Sequence, residues 1–213
     1  MKYELTDETK QYAGRTLHRI RRLSDGELGG WVESEANLSQ EGSCWVANDS
    51  MVYDGACVSD EAMVSGEAQV YGGARVSDRA RVYGKAHVCD EAQVFSRARV
   101  FGWARVFGWA RVCGEACVSG GARVYGKAGV YDEAHVSDRA CVQFETNKSP
   151  LFLSGLNWYV TFGPGVIQIG CEFHPVSDWE SFSDDEIASM DEYALEFWRA
   201  NRSMILHIAR EVK

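Results

Sequence analysis

The chain has 213 residues, 46% of them hydrophobic, and 31 acidic against 22 basic side chains give a net charge of −9. This is an ordinary globular composition for one or two domains, with no run approaching the roughly eighteen apolar residues of a bilayer span and no apolar signal segment in Met1-Lys2-Tyr3-Glu4-Leu5, so a cytoplasmic location is expected. Its seven cysteines form no C-x-x-C pair and no zinc-ligand spacing, so reduced thiols are expected, with neither a metal nor another cofactor.

Residues 1–45 read as an N-terminal cap. Tyr3, Leu5, Leu17, Ile20 and Leu23 are expected to supply apolar contacts, and Gly26, Gly29 and Gly30 to mark turns. Trp31-Val32 and Leu38 begin a six-residue spacing that slips by two before Cys44-Trp45-Val46, and Trp31 and Trp45 are candidate lids for a repetitive core.

From Val46 to Val142 a valine recurs every sixth residue, seventeen times in register. Four residues after each of the first sixteen stands Ser50 or, in every other hexad, an alanine. Residues six apart on a helix point about 240° from each other, so the pattern excludes a helical stripe. In extended chain, a valine and the alanine four later share a face if the chain bends between them. The second place after each valine, with Gly66, Gly72, Gly84, Gly102, Gly108, Gly114, Gly120, Gly126, Asp54, Asp60, Asp78, Asp90, Asp132 and Asp138, supplies that bend. Three hexads then close a triangular coil whose successors stack as parallel strands, and every third hexad shares a face.

This repeat resembles the hexapeptide-repeat family, which implies a mainly β fold: a left-handed parallel β-helix, or triangular solenoid, over residues 46–142. The left hand comes from the resemblance alone. Leu28-Gly-Gly-Trp-Val-Glu-Ser-Glu35 with Asn37-Leu38-Ser39 resembles the opening of the phage and prophage YdcK-like members of that family. The family resemblance implies a homo-oligomer, most often a trimer.

The middle coils are basic. Residues 75–127 hold ten basic groups against four acidic ones, whereas both ends of the chain are acidic, a distribution that attracts small anions or an acidic protein surface and repels a long nucleic acid. Within them F-G-W-A-R-V occurs twice in succession, which puts Trp103 and Trp109 at adjacent corners with Phe101 and Phe107 beside them and Arg99, Arg105 and Arg111 one on each side. Arg123 continues the Arg105 column. Exposed indoles with guanidinium groups suit a self or partner interface, a host protein included, or a small nucleotide with its base on tryptophan and phosphate on arginine; packing alone is the third reading.

Residues 143–213 read as a C-terminal hairpin plus helices, a small α/β element that resembles the closing domain of the phage group. Leu151-Phe152-Leu153, residues 158–162 and residues 166–170 read as strands, Ser183-Asp-Asp-Glu186 as a capping box, and Tyr193 to Val212 as an amphipathic helix.

The function expected is a non-catalytic, phage-type binding protein that self-associates and antagonises a host defence component or sequesters a nucleotide signal. The alternative is an acyltransferase that uses acyl-coenzyme A, as in other hexapeptide-repeat proteins, where a coil histidine is the general base; His87 and His135 are the candidates. The uninterrupted hexads lack the loops that build the family's acceptor pocket. Cys171 and His174, with Asp178 and Glu180 nearby, are a candidate nucleophile pair on what reads as a structural turn, and the residue pattern supplies neither a base on the sulfur nor a third metal ligand.

Overall fold

The structure is a computed structural model that describes residues 1–137, 140–142, 150–153 and 156–212. Asp138, among the bend residues above, lies outside them. The chain is mainly β, with a parallel solenoid of stacked coils between an N-terminal hairpin and a C-terminal sheet with helices.

Seventeen two-residue strands, from β4 (Trp45–Val46) to β20 (Cys141–Val142), each end on a hexad valine. They pair in parallel with the strand eighteen residues away, Val82 with Val100 and Val88 with Val106 for example, and so build three sides of a prism. We call these the Val46, Val52 and Val58 faces. Every hexad valine is fully buried, a contribution on the order of 1.5–3 kcal/mol for each such side chain. The alanines lie where the chain turns inward at the corners, and Ser50, the exception, donates from its hydroxyl to the carbonyls of Ala47 at 2.6 Å and Val64 at 3.2 Å. The second residue after each valine, from Asn48 to Asp132, lies in the left-handed region.

The N-terminal end is closed by β1 (Tyr3–Tyr12) and β2 (Arg15–Arg22), an antiparallel pair, and by β3 (Leu28–Val32), which pairs with β2 and then in parallel with the coil strand Met51–Val52. Val32 stacks on Val52 and Leu38 bridges Val58, both across twenty residues rather than eighteen, so the first coil absorbs the two-residue slip. Tyr3 and Ile20 join the solenoid core and Tyr3 meets Trp45 edge-on at 6.5 Å. The other half of the hairpin lies over the Val52 face, where Leu17, Trp31, Met51 and Tyr53 form a buried cluster and the Tyr12 hydroxyl donates to Gln69 at 3.1 Å.

Two expectations fail here. Leu23 is exposed, at the turn after β2. Gly29 and Gly30 are strand residues, not turns; a Cβ on Gly30 would stand 2.6 Å from the Ser50 carbonyl oxygen and 2.7 Å from a Val46 methyl group, so these glycines allow β3 to lie against the first coil.

The C-terminal strands β21 (Leu151–Leu153), β22 (Val160–Gly163), β23 (Val166–Ile169) and β24 (Glu172–Pro175) form an antiparallel sheet. Phe152, Tyr159, Val166 and Phe173 pack against the solenoid core, and Thr161 donates to the Cys141 carbonyl at 3.3 Å. The opposite face takes α1 (Val176–Ser181), α2 (Asp184–Met190) and α3 (Ala194–Glu211) around Phe162, Ile167, Trp179 and Trp198. The Ser183–Glu186 capping box is present. Strand β24 and helix α1 were not legible beforehand: His174 stands in a strand paired with Ile167, and the turn is at Gly170-Cys171. Among the described residues no helix is long and apolar enough to cross a membrane.

Candidate functional site

The central turn is set by the hexad register. Arg99, Arg105 and Arg111 each open a strand and fall on the Val46, Val52 and Val58 faces in that order, stacked on Arg81, His87 and Gln93 of the coil before. Trp103 and Trp109 occupy the corners on either side of the Val52 face and are 65% and 66% exposed. Their backbones are fixed by amide donation to the carbonyls of Gly120 and Gly126, both at 2.7 Å. Phe101 and Phe107 are half-buried instead, stacked on Tyr83 and Tyr125 at 4.9 and 5.1 Å between ring centres. The belt thus divides: Trp103, Arg105, Phe107 and Trp109 share one edge-to-edge row with Arg123 stacked on Arg105, whereas Arg99 and Arg111 lie around the corners.

The charges sort by position in a way the sequence count did not reveal. Three corner cations are paired along their columns, Arg79 with Glu61 at 2.9 Å, Arg97 with Glu115 at 2.8 Å and Lys85 with Glu67 at 3.5 Å, whereas Lys127 makes no ion pair among the described residues. Among the described residues the strand arginines Arg75, Arg81, Arg99, Arg105, Arg111 and Arg123 make no ion pair, so the strands carry most of the belt's unpaired positive charge. The Lys85 ammonium also lies over the Trp103 ring, 4.7 Å from its centre.

His87 is held edge-on to Tyr71 at 6.3 Å between Gln69 and Arg105 of the adjoining coils. Burial and then the Arg105 charge lower its pKa, so the imidazole is neutral. Beside it, burial raises the Cys89 thiol, which shares a hydrogen bond with Tyr71, so no thiolate forms there. His135 is exposed on the Val46 face above Cys117, apart from His87 on the Val52 face. Cys171 and His174 both reach for Glu172 and not for each other, at 3.9 Å from one carboxylate oxygen and 3.2 Å from the other. The His174 ring is edge-on to Trp179 and Phe182, Glu180 pairs with Arg210, and the Asp178 carbonyl accepts the amide that ends α1.

An open cleft of about 1180 Å³ separates the last coils from the C-terminal sheet, with Trp103 and Arg123 on one wall and Asn157 and Trp158 on the other. No periodicity announces it, because its walls belong to elements with different repeats.

Residues 74–90, one coil of the stack, match the family model of the YdcK β-solenoid repeat. That coil is similar to a YdcK β-solenoid repeat. The matched YdcK repeat contains Arg75, Arg81 and His87 and ends before Trp103, so it identifies the coil but assigns nothing to the tryptophan row. No curated protein matches the chain.

Proposed function

We propose that the chain is a binding protein in which the row Trp103, Arg105, Trp109 docks an acidic surface of a macromolecular partner. The observation that carries this reading is the pair of indoles, about two-thirds exposed, on either side of a guanidinium that has no ion pair among the described residues. Tryptophan and arginine are the residues that most often anchor interfaces, and their grouping on one rigid sheet lowers the ordering cost of docking. Self-association through the same row sets Arg105 against its copy, a like-charge contact that favours an acidic partner over a face-to-face dimer. A trimer assembled elsewhere on the prism is compatible with this. The resemblance of residues 28–39 to phage proteins makes a host protein, including a defence component, the class to screen.

The acyltransferase reading has one favourable observation, the neutral His87 imidazole, but that residue stands in an uninterrupted sheet between Gln69 and Arg105, with its ring edge-on to Tyr71. The test is a binding measurement with host extract at low and high salt, with oligomer mass from light scattering. Trp103→Ala with Trp109→Ala should abolish salt-sensitive capture and leave the melting temperature unchanged, because other coils carry Glu67, Lys85 or Glu91 at these corners. Capture and mass both unaffected by the double substitution would exclude the row as the docking surface.

A further inference from the structure

The cleft between the solenoid and the C-terminal sheet carries chemistry that neither part shows alone. Stacking by eighteen residues places Gly121 next to Trp103 in the corner column, just as Arg123 follows Arg105. The preceding member of that column, Lys85, lies over the indole with its ammonium 4.7 Å from the ring centre. One side of the ring therefore meets a cation, and the other faces a position with no side chain. The space beyond belongs to the cleft of about 1180 Å³, which Trp158 and Asn157 close from the C-terminal side and Arg123 from the solenoid side. None of its described lining residues is acidic. Arg123 makes no ion pair among the described residues and stacks on Arg105, so the potential at this wall is positive.

An aromatic ring next to a glycine, a second tryptophan on the other wall and a guanidinium with no ion pair among the described residues select for a ligand with both a flat ring and an anionic group. We propose that this cleft binds a ligand of the mononucleotide class, its heteroaromatic ring stacked on Trp103 over Gly121 and its phosphate on Arg123. Base stacking on tryptophan supplies the sequence-tolerant part of the affinity, and the planar guanidinium fork matches two phosphate oxygens. The volume exceeds the common range of small-molecule pockets, so the ligand occupies the solenoid wall and leaves the mouth open. The site shares Trp103 with the proposed docking row but neither Arg105 nor Trp109, so the two readings fail separately.

Isothermal titration of the full chain with AMP, GMP, CMP and UMP, and with adenosine and inorganic phosphate alone, tests this. At least one mononucleotide should bind more tightly than adenosine or phosphate. Gly121→Lys, which fills the space over the indole with a side chain the same column already holds at Lys85, should weaken that binding by about tenfold or more. Arg123→Gln should weaken it comparably and carries the test on its own should the lysine variant not fold, while Trp109→Ala should leave it unchanged. Absence of mononucleotide binding at millimolar concentration, phosphate binding as tightly as the nucleotides, or retention of full affinity by folded Gly121→Lys and by Arg123→Gln overturns the proposal. Equal loss in Trp109→Ala also overturns it, because that corner is outside the cleft.

Discussion

Asp90 has φ 58°, in a region that costs an L-residue energy, and its carboxylate accepts from the Gly108 amide of the next coil at 3.0 Å. Asp78 accepts from Ser96 at 2.9 Å in the same manner. Gly102, at φ 72°, takes the turn without strain but offers no acceptor. Aspartate at this position therefore exchanges backbone strain for a rung between coils. Asp90→Ala should keep the strain and lose the rung, at a cost of about 1–2 kcal/mol, whereas Asp90→Asn should be nearly neutral; chemical denaturation reads the difference. His87 gives the second prediction at this scale. Its folded pKa is lowered, so the unfolded chain takes the proton first, and the stability it contributes is complete above the ordinary imidazole value of about 6.5 and falls as the pH drops through that value toward the folded one. A proton-resonance titration should place His87 below an ordinary imidazole, and Arg105→Gln should move it upward.

At the scale of elements, the two kinds of glycine in this chain look alike as letters and act differently. Those that stand two places after a hexad valine mark bends, as read from their period, but Gly29 and Gly30 occupy a strand because β3 must touch the first coil. Gly30→Ala should cost about 1–3 kcal/mol by pushing β3 from Ser50 and Val46, and hydrogen exchange should show the amides of β1 and β2 losing protection before those of the coils. The C-terminal strands follow the same logic of two faces. Val166 turns to the solenoid while Ile167 and Ile169 turn to the helices, so the sheet is apolar on both sides and its short runs carry no clean alternation. Strand β24 was missed for this reason, since Glu172 and His174 are polar residues on the helix side of a buried sheet. The Ser183 capping box and the long helix were legible because caps and helical spacing are local patterns.

Across the whole molecule, the solenoid is a stack in which each coil contacts only its neighbours, and the two ends differ in how they are covered. The hairpin closes the first coil and then folds back over the Val52 face as far as Gln69 and Tyr71, covering the stacked Tyr53 and Tyr71 rings; burial drives the Tyr53 phenol up to about 12. The C-terminal sheet sits on the last coils and leaves the cleft at one corner. The exposed part of the Val52 face, between these two covers, is where the tryptophan row lies. The docking prediction and the ligand prediction both belong to this scale, because each depends on what the ends leave open.

The sequence by itself determined the parallel coil stack, its three faces and the exposed corners at Trp103 and Trp109, because a six-residue period repeats one local burial pattern and needs no distant partner to be interpreted. It also determined that arginines and indoles share one turn. Only the tertiary structure decided which charges are paired along corner columns, that Phe101 and Phe107 are engaged in stacks, and that Trp103 and Trp158 line one cleft. Those facts depend on contacts eighteen or more residues apart and on the docking of non-repetitive ends, whose geometry no period encodes.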